Sequence, residues 1–235
     1  MQVAGVTDRG CVRETNEDSI FFESSLYIIA DGMGGHLAGE VASKEAILCI
    51  KDLLVDEKDV KKIPELLKDA FDKANKHIYD MAQNKEEYKG MGTTVTLAKL
   101  IDDELFYAHV GDSRLYRYAK KNFEQITRDH SLVAQMVETG QITKEEANTH
   151  PNKNIITKAV GTASSIEPDI GSLKLNTGDI ILLCSDGLTN MLTNEQIVDI
   201  LSKGKNDVNK IVTKLLKEAN NAGGKDNISI ICLQY

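Results

Sequence analysis

Apolar positions fall into two patterns along this chain. Short apolar runs at about 2–7, 19–23, 26–30, 93–100, 104–110, 114–119, 166–173, 179–185 and 228–234 predict strands. A 3.6-residue period at Leu67, Phe71, Ala74, Ile78 and Met81, and again at Val208, Ile211, Val212, Leu215 and Leu216, predicts two amphipathic helices. A third is expected from about 39 to 54, with Ile47, Ile50 and Leu54 on its inner face. Thr143 with Glu146, and Thr193 with Gln196, have capping-box spacing and should open two shorter helices. Strands come in clusters and helices in pairs, which is not the βαβα alternation of a doubly wound parallel sheet. Runs such as Ile180-Ile181-Leu182-Leu183 and Ile228-Ser229-Ile230-Ile231 read as strands buried on both faces. Packed sheets with amphipathic helices outside them make the expected fold class α+β, a sandwich.

Nothing divides the chain. Its 235 residues contain three prolines (Pro64, Pro151, Pro168), no repeat and no low-complexity linker, so a single domain over 1–235 is expected. Acidic residues outnumber basic ones by 36 to 28, a net charge of −8. That balance disfavours nucleic acid and anionic membranes, which require a cationic surface. Charged residues from Asp8 to Asp18 exclude a signal-peptide hydrophobic core. No apolar run approaches the ~18 residues that span a bilayer, so no membrane insertion is expected. Cys11, Cys49, Cys184 and Cys232 are scattered, and the last three lie in apolar runs. They read as reduced core thiols of a cytoplasmic protein.

The chemistry lies at strand ends. Asp31, Asp112 and Asp186 each follow an apolar run, while Asp18 and Asp226 immediately precede the strands at 19–23 and 228–234. Taken singly, Asp31-Gly32 and Asp186-Gly187 are more often turns than ligands. However, the segments after them do not look like return strands. Five carboxylates gathered on one edge of a sandwich would also repel one another unless cations lay between them. Oxygen donors without a Cys pair or HExxH select Mg²⁺ or Mn²⁺ over Zn²⁺. The loop Asp31-Gly-Met-Gly-Gly-His36 fits neither a dinucleotide fingerprint nor a Walker loop. Neither Ser113 nor Ser185 stands in a G-x-S-x-G context, and no cysteine is followed by arginine at the spacing a thiol phosphatase needs.

These residues together resemble the metal-dependent serine/threonine protein phosphatases (the PPM family, type 2C) over essentially the whole chain. The matching segments, in the family's order, are Arg13-Glu-Thr-Asn16-Glu17-Asp18, Asp31-Gly-Met-Gly-Gly-His36, Gly92-Thr-Thr94, Val110-Gly-Asp112-Ser-Arg114, Ser185-Asp186-Gly-Leu188 and Gly223-Gly-Lys-Asp226-Asn227. The resemblance implies a central β-sandwich of two antiparallel sheets flanked on both sides by helices, four layers in αββα order. It implies a site with two Mn²⁺ or Mg²⁺ ions. Asp31 would bridge them, the Gly32 carbonyl would bind one, and Asp186 and Asp226 would hold the other. Glu17 and Asp18 would reach the ions through water, and Asp112 with Asp186 would bind a third ion. Arg13 matches the phosphate-binding arginine. Met33 stands where many eukaryotic members carry their acid histidine, so the resemblance leaves two candidates for the general acid, His36 three residues on or a metal-bound water. The DGMGGH form of this loop matches bacterial members. The segment at about 128–162 matches the family's flap. Phosphorylated proteins are the implied substrates, a Ser/Thr protein kinase is the implied opponent, and a monomer is expected. The remaining histidines, His77, His109, His130 and His150, read as structural. Two rival readings are a non-catalytic phosphoprotein binder, which the retained Asp31, Asp186 and Asp226 disfavour, and a hydrolase of small phosphoesters or nucleotides.

Overall fold

The structure is a computed structural model that describes residues 1–35, 38–204 and 207–235. The chain opens with β1 (Gln2–Asp8), β2 (Asp18–Glu23) and β3 (Leu26–Met33), then forms helices α1 (Ala38–Leu54) and α2 (Ile63–Asn84). Next come β4 (Gly92–Thr93), β5 (Val95–Ile101), β6 (Glu104–Val110), β7 (Arg114–Ala119) and β8 (Asn122–Gln125). Short helices α3 (Leu132–Glu138) and α4 (Lys144–Thr149) lead to β9 (Asp169–Lys174) and β10 (Ile180–Cys184). Helices α5 (Asp186–Thr189), α6 (Asn194–Lys203) and α7 (Val208–Asn221) precede the last strand, β11 (Ile228–Gln234).

Two antiparallel sheets result. One has the order β1-β11-β10-β7-β8, and the other β2-β3-β5-β6-β9 with β4 paired to β3. Strand alternation builds three hydrophobic layers from them. Tyr27, Ile29, Leu183, Ile231 and Leu233 meet between the sheets. Their neighbours Leu26, Ile28 and Ala30 turn outward onto Ile50, Leu67, Phe71 and Ile78 of α1 and α2. Leu182, Ile230 and Cys232 turn outward onto Ile197, Leu201, Ile211 and Leu215 of α6 and α7. The four-layer αββα order follows, with β10 and β11 buried on both faces as their unbroken apolar runs predict.

Both predicted capping boxes form. Thr143 and Glu146 open α4, and Thr193 and Gln196 open α6, each with reciprocal side-chain bonds. Pro64 sits in the first turn of α2, where a missing N–H costs nothing. Two expectations shift. The run at 93–100 is split at Thr94 into β4 and β5, and the run at 166–173 becomes a strand only from Asp169. No helix among the described residues is long and apolar enough to cross a membrane.

Candidate active site

Asp18 and Asp31 stand directly opposite each other across the β2–β3 pair, a register that sets like charges face to face. Asp31 is not in a turn: β3 continues through it, and Gly32 and Met33 pair with Thr93 and Gly92. Asp186 opens α5 instead of a hairpin. Thr94, in the break between β4 and β5, fixes Asp31 from the side. Its hydroxyl accepts from the Asp31 N–H at 3.1 Å, and its N–H donates to the Asp31 carbonyl at 2.9 Å. The same hydroxyl bonds Ser113 Oγ at 2.9 Å, next to Asp112 in the β6–β7 connection. Ser185 Oγ donates to Asp18 Oδ2 at 2.8 Å, tying the first sheet to the second at the same end of the sandwich.

Electrostatics shows how closely these acids are gathered. Asp31 is pushed well above the ordinary carboxylate range by burial and then by Asp18, Asp186, Asp112 and Asp226. Burial, and beyond it Asp186 and Asp226, lifts Asp18 to about 7 against the bonds it accepts from serine. Asp112 is lifted to about 7 by burial and by Asp186, and Asp186 to about 6 by burial and Asp226. Two buried oxygens, Asp18 Oδ1 and Asp112 Oδ1, have no hydrogen-bond partner among the described residues. Cationic side chains are few here. Arg13 meets Asp226, while Arg114 spends its fork on Asp129 through bonds of 2.6–3.0 Å. The donor set is therefore hard oxygen in excess, the chemistry of Mg²⁺ and Mn²⁺. Among the described residues no three acids, histidines or cysteines already close around one point. Mg²⁺-type ions keep several waters and need only one or two carboxylates each, so the donor set fits them without such a cage.

A pH dependence follows. Against about 3.9 in the unfolded chain, Asp18 and Asp112 are lifted to about 7 and Asp186 to about 6 in the folded one, and Asp31 is raised in the same direction. The folded state therefore holds more protons across that interval, and stability falls as pH rises through it. In chelator, Tm should drop between pH 5 and pH 8, and Mn²⁺ added at pH 8 should restore it. A metal-free Tm that stays flat over this range would contradict the arrangement.

The segment from Arg13 to Glu17 is held against this edge by Asn227. Its Oδ1 accepts from the Glu17 N–H at 2.8 Å, and its Nδ2 donates to the carbonyls of Arg9 and Thr15 at 3.0 and 2.9 Å. The Glu17 carbonyl in turn accepts from Gly32 N–H at 3.2 Å and Ser43 Oγ at 2.6 Å. Burial raises the Glu17 pKa against the pull of Arg13. Gly32 must be glycine, because a Cβ there would lie 2.0 Å from the Gly39 carbonyl oxygen. Arg13 bonds Asp226 Oδ2 at 2.8 Å with 54% of its side chain exposed, so it remains free to turn toward an incoming anion.

The structure thus brings together Arg13, Glu17, Asp18, Asp31, Gly32, Asp112, Asp186 and Asp226. His36 lies outside the described residues. Sequence reasoning gave no role to Ser185 and Asn190, which bond Asp18 and Asp186, to Asn227, which bonds the Glu17 backbone, or to Lys153, which bonds Asn190. Asn227 was quoted within a motif, and only its contacts reveal its work. The other histidines are occupied as expected. His109 is buried between Thr96 Oγ1 and the Arg128 carbonyl, and burial lowers it to about 4. A groove of about 1080 Å³ between α6 and α7, lined by Leu192, Ile200 and Ile211 among others, contains none of the motif residues.

Comparison with known proteins identifies relatives of the whole chain. The sequence model of protein phosphatase 2C matches residues 13–229. Protein phosphatase PhpP of Streptococcus pneumoniae is 40% identical over 237 residues, which covers 98% of this chain and 96% of that protein. The solved Mycobacterium tuberculosis serine/threonine phosphatase PstP/Ppp superposes with a TM-score of 0.94 at 35% identity, covering 100% of this chain and 99% of that one. A catalytic domain of PstP in complex with two manganese ions superposes with a TM-score of 0.90 at 35% identity, over 98% and 96% of the respective chains. With its motifs in register, its sandwich reproduced and its acids on one edge, the chain belongs to the protein phosphatase 2C family, the metal-dependent serine/threonine protein phosphatases.

Proposed function

We propose that this chain removes phosphate from phosphoserine and phosphothreonine in proteins, opposing a bacterial Ser/Thr kinase in the cytoplasm as a monomer. Asp31, the Gly32 carbonyl, Asp186 and Asp226 would hold two Mn²⁺ or Mg²⁺ ions, with Glu17 and Asp18 reaching them through water. Asp112 with Asp186 would hold a third. The observation that carries this reading is the set of mutually repelling carboxylates, Asp18 and Asp112 buried and Asp31 and Asp186 half-buried, with two oxygens unpartnered among the described residues. A folded chain keeps such a costly arrangement where cations relieve it. Bound divalent cations acidify water and neutralise charge on a phosphoryl group.

The protein's own residues do the rest. Thr94 and Ser185 fix Asp31 and Asp18 so that the acids need little rearrangement. Arg13, at the exposed rim beside Asp226, would fork onto two phosphate oxygens. The segment at about 128–162 forms the flap within a single domain, and His36 is the proposed proton donor to the leaving serine or threonine oxygen. The Met33 thioether, three residues before it, carries no proton to give.

Arg13→Ala tests the phosphate assignment. Loss of a charged bidentate contact should cost about 2–4 kcal/mol in kcat/KM toward a phosphoserine protein. Mn²⁺ binding by calorimetry should hardly move, since an exposed pair such as Arg13–Asp226 contributes only about 0.2–1 kcal/mol. Weakened Mn²⁺ binding with kcat/KM restored to wild type at saturating Mn²⁺ would make Arg13 a structural partner of Asp226 instead.

A further inference from the structure

A lysine from the flap reaches the acid edge through one amide. Lys153 lies in the turn after α4, where its N–H donates to the His150 carbonyl at 3.1 Å. The turn is tied to the flap's base by bonds from Leu132 N–H to the Ile155 carbonyl at 2.9 Å and from Thr157 N–H to the His130 carbonyl at 2.8 Å. From there Lys153 Nζ donates to Asn190 Oδ1 at 3.0 Å. Asn190 Nδ2 donates to Asp186 Oδ2 at 2.9 Å. Asn190 is also the C-cap of α5, and its N–H bonds the Asp186 carbonyl at 2.7 Å.

The chemistry of the three groups allows only one orientation of the amide. An ammonium has donors alone, so it takes the amide oxygen, and a carboxylate has acceptors alone, so it takes the amide NH₂. Without the lysine, Asn190 could turn its oxygen toward Asp186 and repel it. We infer that Lys153 and Asn190 are positioning residues that couple the placement of the flap to the orientation of Asp186, and through it to the retention of divalent metal. The inference rests on Asp186 being a metal ligand. Its content is that the flap contributes to metal affinity through hydrogen bonds, with no ligand of its own.

The test uses the full chain stripped of metal, with Mn²⁺ affinity read by calorimetry and turnover of a phosphoserine protein measured alongside. Lys153→Met and Asn190→Ala should each weaken Mn²⁺ binding about tenfold, as losses of groups that orient a ligand do. The double variant should lose no more than either single one, because the two act in series. Lys153→Arg should restore most of the affinity, and KM at saturating Mn²⁺ should stay unchanged. A raised KM with Mn²⁺ affinity unmoved in Lys153→Met would overturn the inference and make Lys153 a substrate contact. A lowered metal-free Tm in both variants, with unchanged affinity, would reduce the pair to a structural tie. Asp186→Asn separates the two levels. If it abolishes Mn²⁺ binding while the other variants do nothing, only the relay fails; if it leaves binding intact, the ligand reading itself is wrong.

Discussion

Asp31→Asn should abolish phosphatase activity by about three orders of magnitude or more while leaving the protein folded. Asparagine keeps the shape of the side chain and its place in β3, so the bonds from Thr94 to the Asp31 backbone survive. What is lost is the charge at the centre of the acid edge, next to Asp18, Asp186, Asp112 and Asp226. Electrostatic help from divalent cations is worth several kcal/mol at a phosphoryl group, and each 1.36 kcal/mol is a factor of ten in rate. Stability should move the other way. In the metal-free protein at pH 8, removing one of several closely gathered, repelling carboxylates relieves the fold, so the Tm of Asp31→Asn should equal or exceed wild type. The further rise in Tm on adding Mn²⁺ should shrink. Thermal melts with and without Mn²⁺, beside a phosphate-release assay, read both effects. An Asp31→Asn protein that is less stable without metal yet still responsive to it would mark Asp31 as a packing residue.

Asp112→Ala should produce the second large effect, a fall in kcat of at least about tenfold with the fold intact. As a mere connection residue between β6 and β7, Asp112 would be dispensable for turnover. Its burial argues otherwise. The carboxyl is lifted to about 7 by burial and Asp186, and Oδ1 has no partner among the described residues. An unpartnered buried oxygen costs stability, so its removal should leave the metal-free protein within about 1 kcal/mol of wild type or above it. A third ion held by Asp112 and Asp186 would bind loosely and act on the chemical step. The expected pattern is two Mn²⁺ ions retained, a third lost and kcat sharply lower. Undiminished kcat at limiting Mn²⁺ would leave Asp112 as a residue of the connection alone.

Much of this architecture can be read from the chain because its signals are local. The runs at Ile180 and Ile228 are uniformly apolar because β10 and β11 are covered on both faces, and the capping boxes at Thr143 and Thr193 are satisfied within one turn. Strand β8 escapes such a reading: Asn122–Gln125 is an exposed edge with a single aromatic, Phe123, stacked on Tyr116. Helix α3 escapes it too, since only Val133 among its seven residues is buried. At the site, the acids are legible because each stands at the end of an apolar run. Their supports are not. Asn227 reaches back 210 residues to Glu17, and Lys153 crosses 37 residues to Asn190. Such contacts arise from tertiary packing, between the two sheets for Asn227 and between the turn after α4 and the end of α5 for Lys153, and leave no spacing in the sequence.

Metal dependence on the protein substrate is the most direct test of the whole account. The chain, dialysed against chelator, is assayed for phosphate release from a phosphoserine protein, a phosphotyrosine peptide and ATP, and then titrated with Mn²⁺. Activity absent in chelator, restored by Mn²⁺ or Mg²⁺ and greatest on the phosphoserine protein is the predicted result. Full turnover of the phosphoserine protein in excess chelator would contradict it.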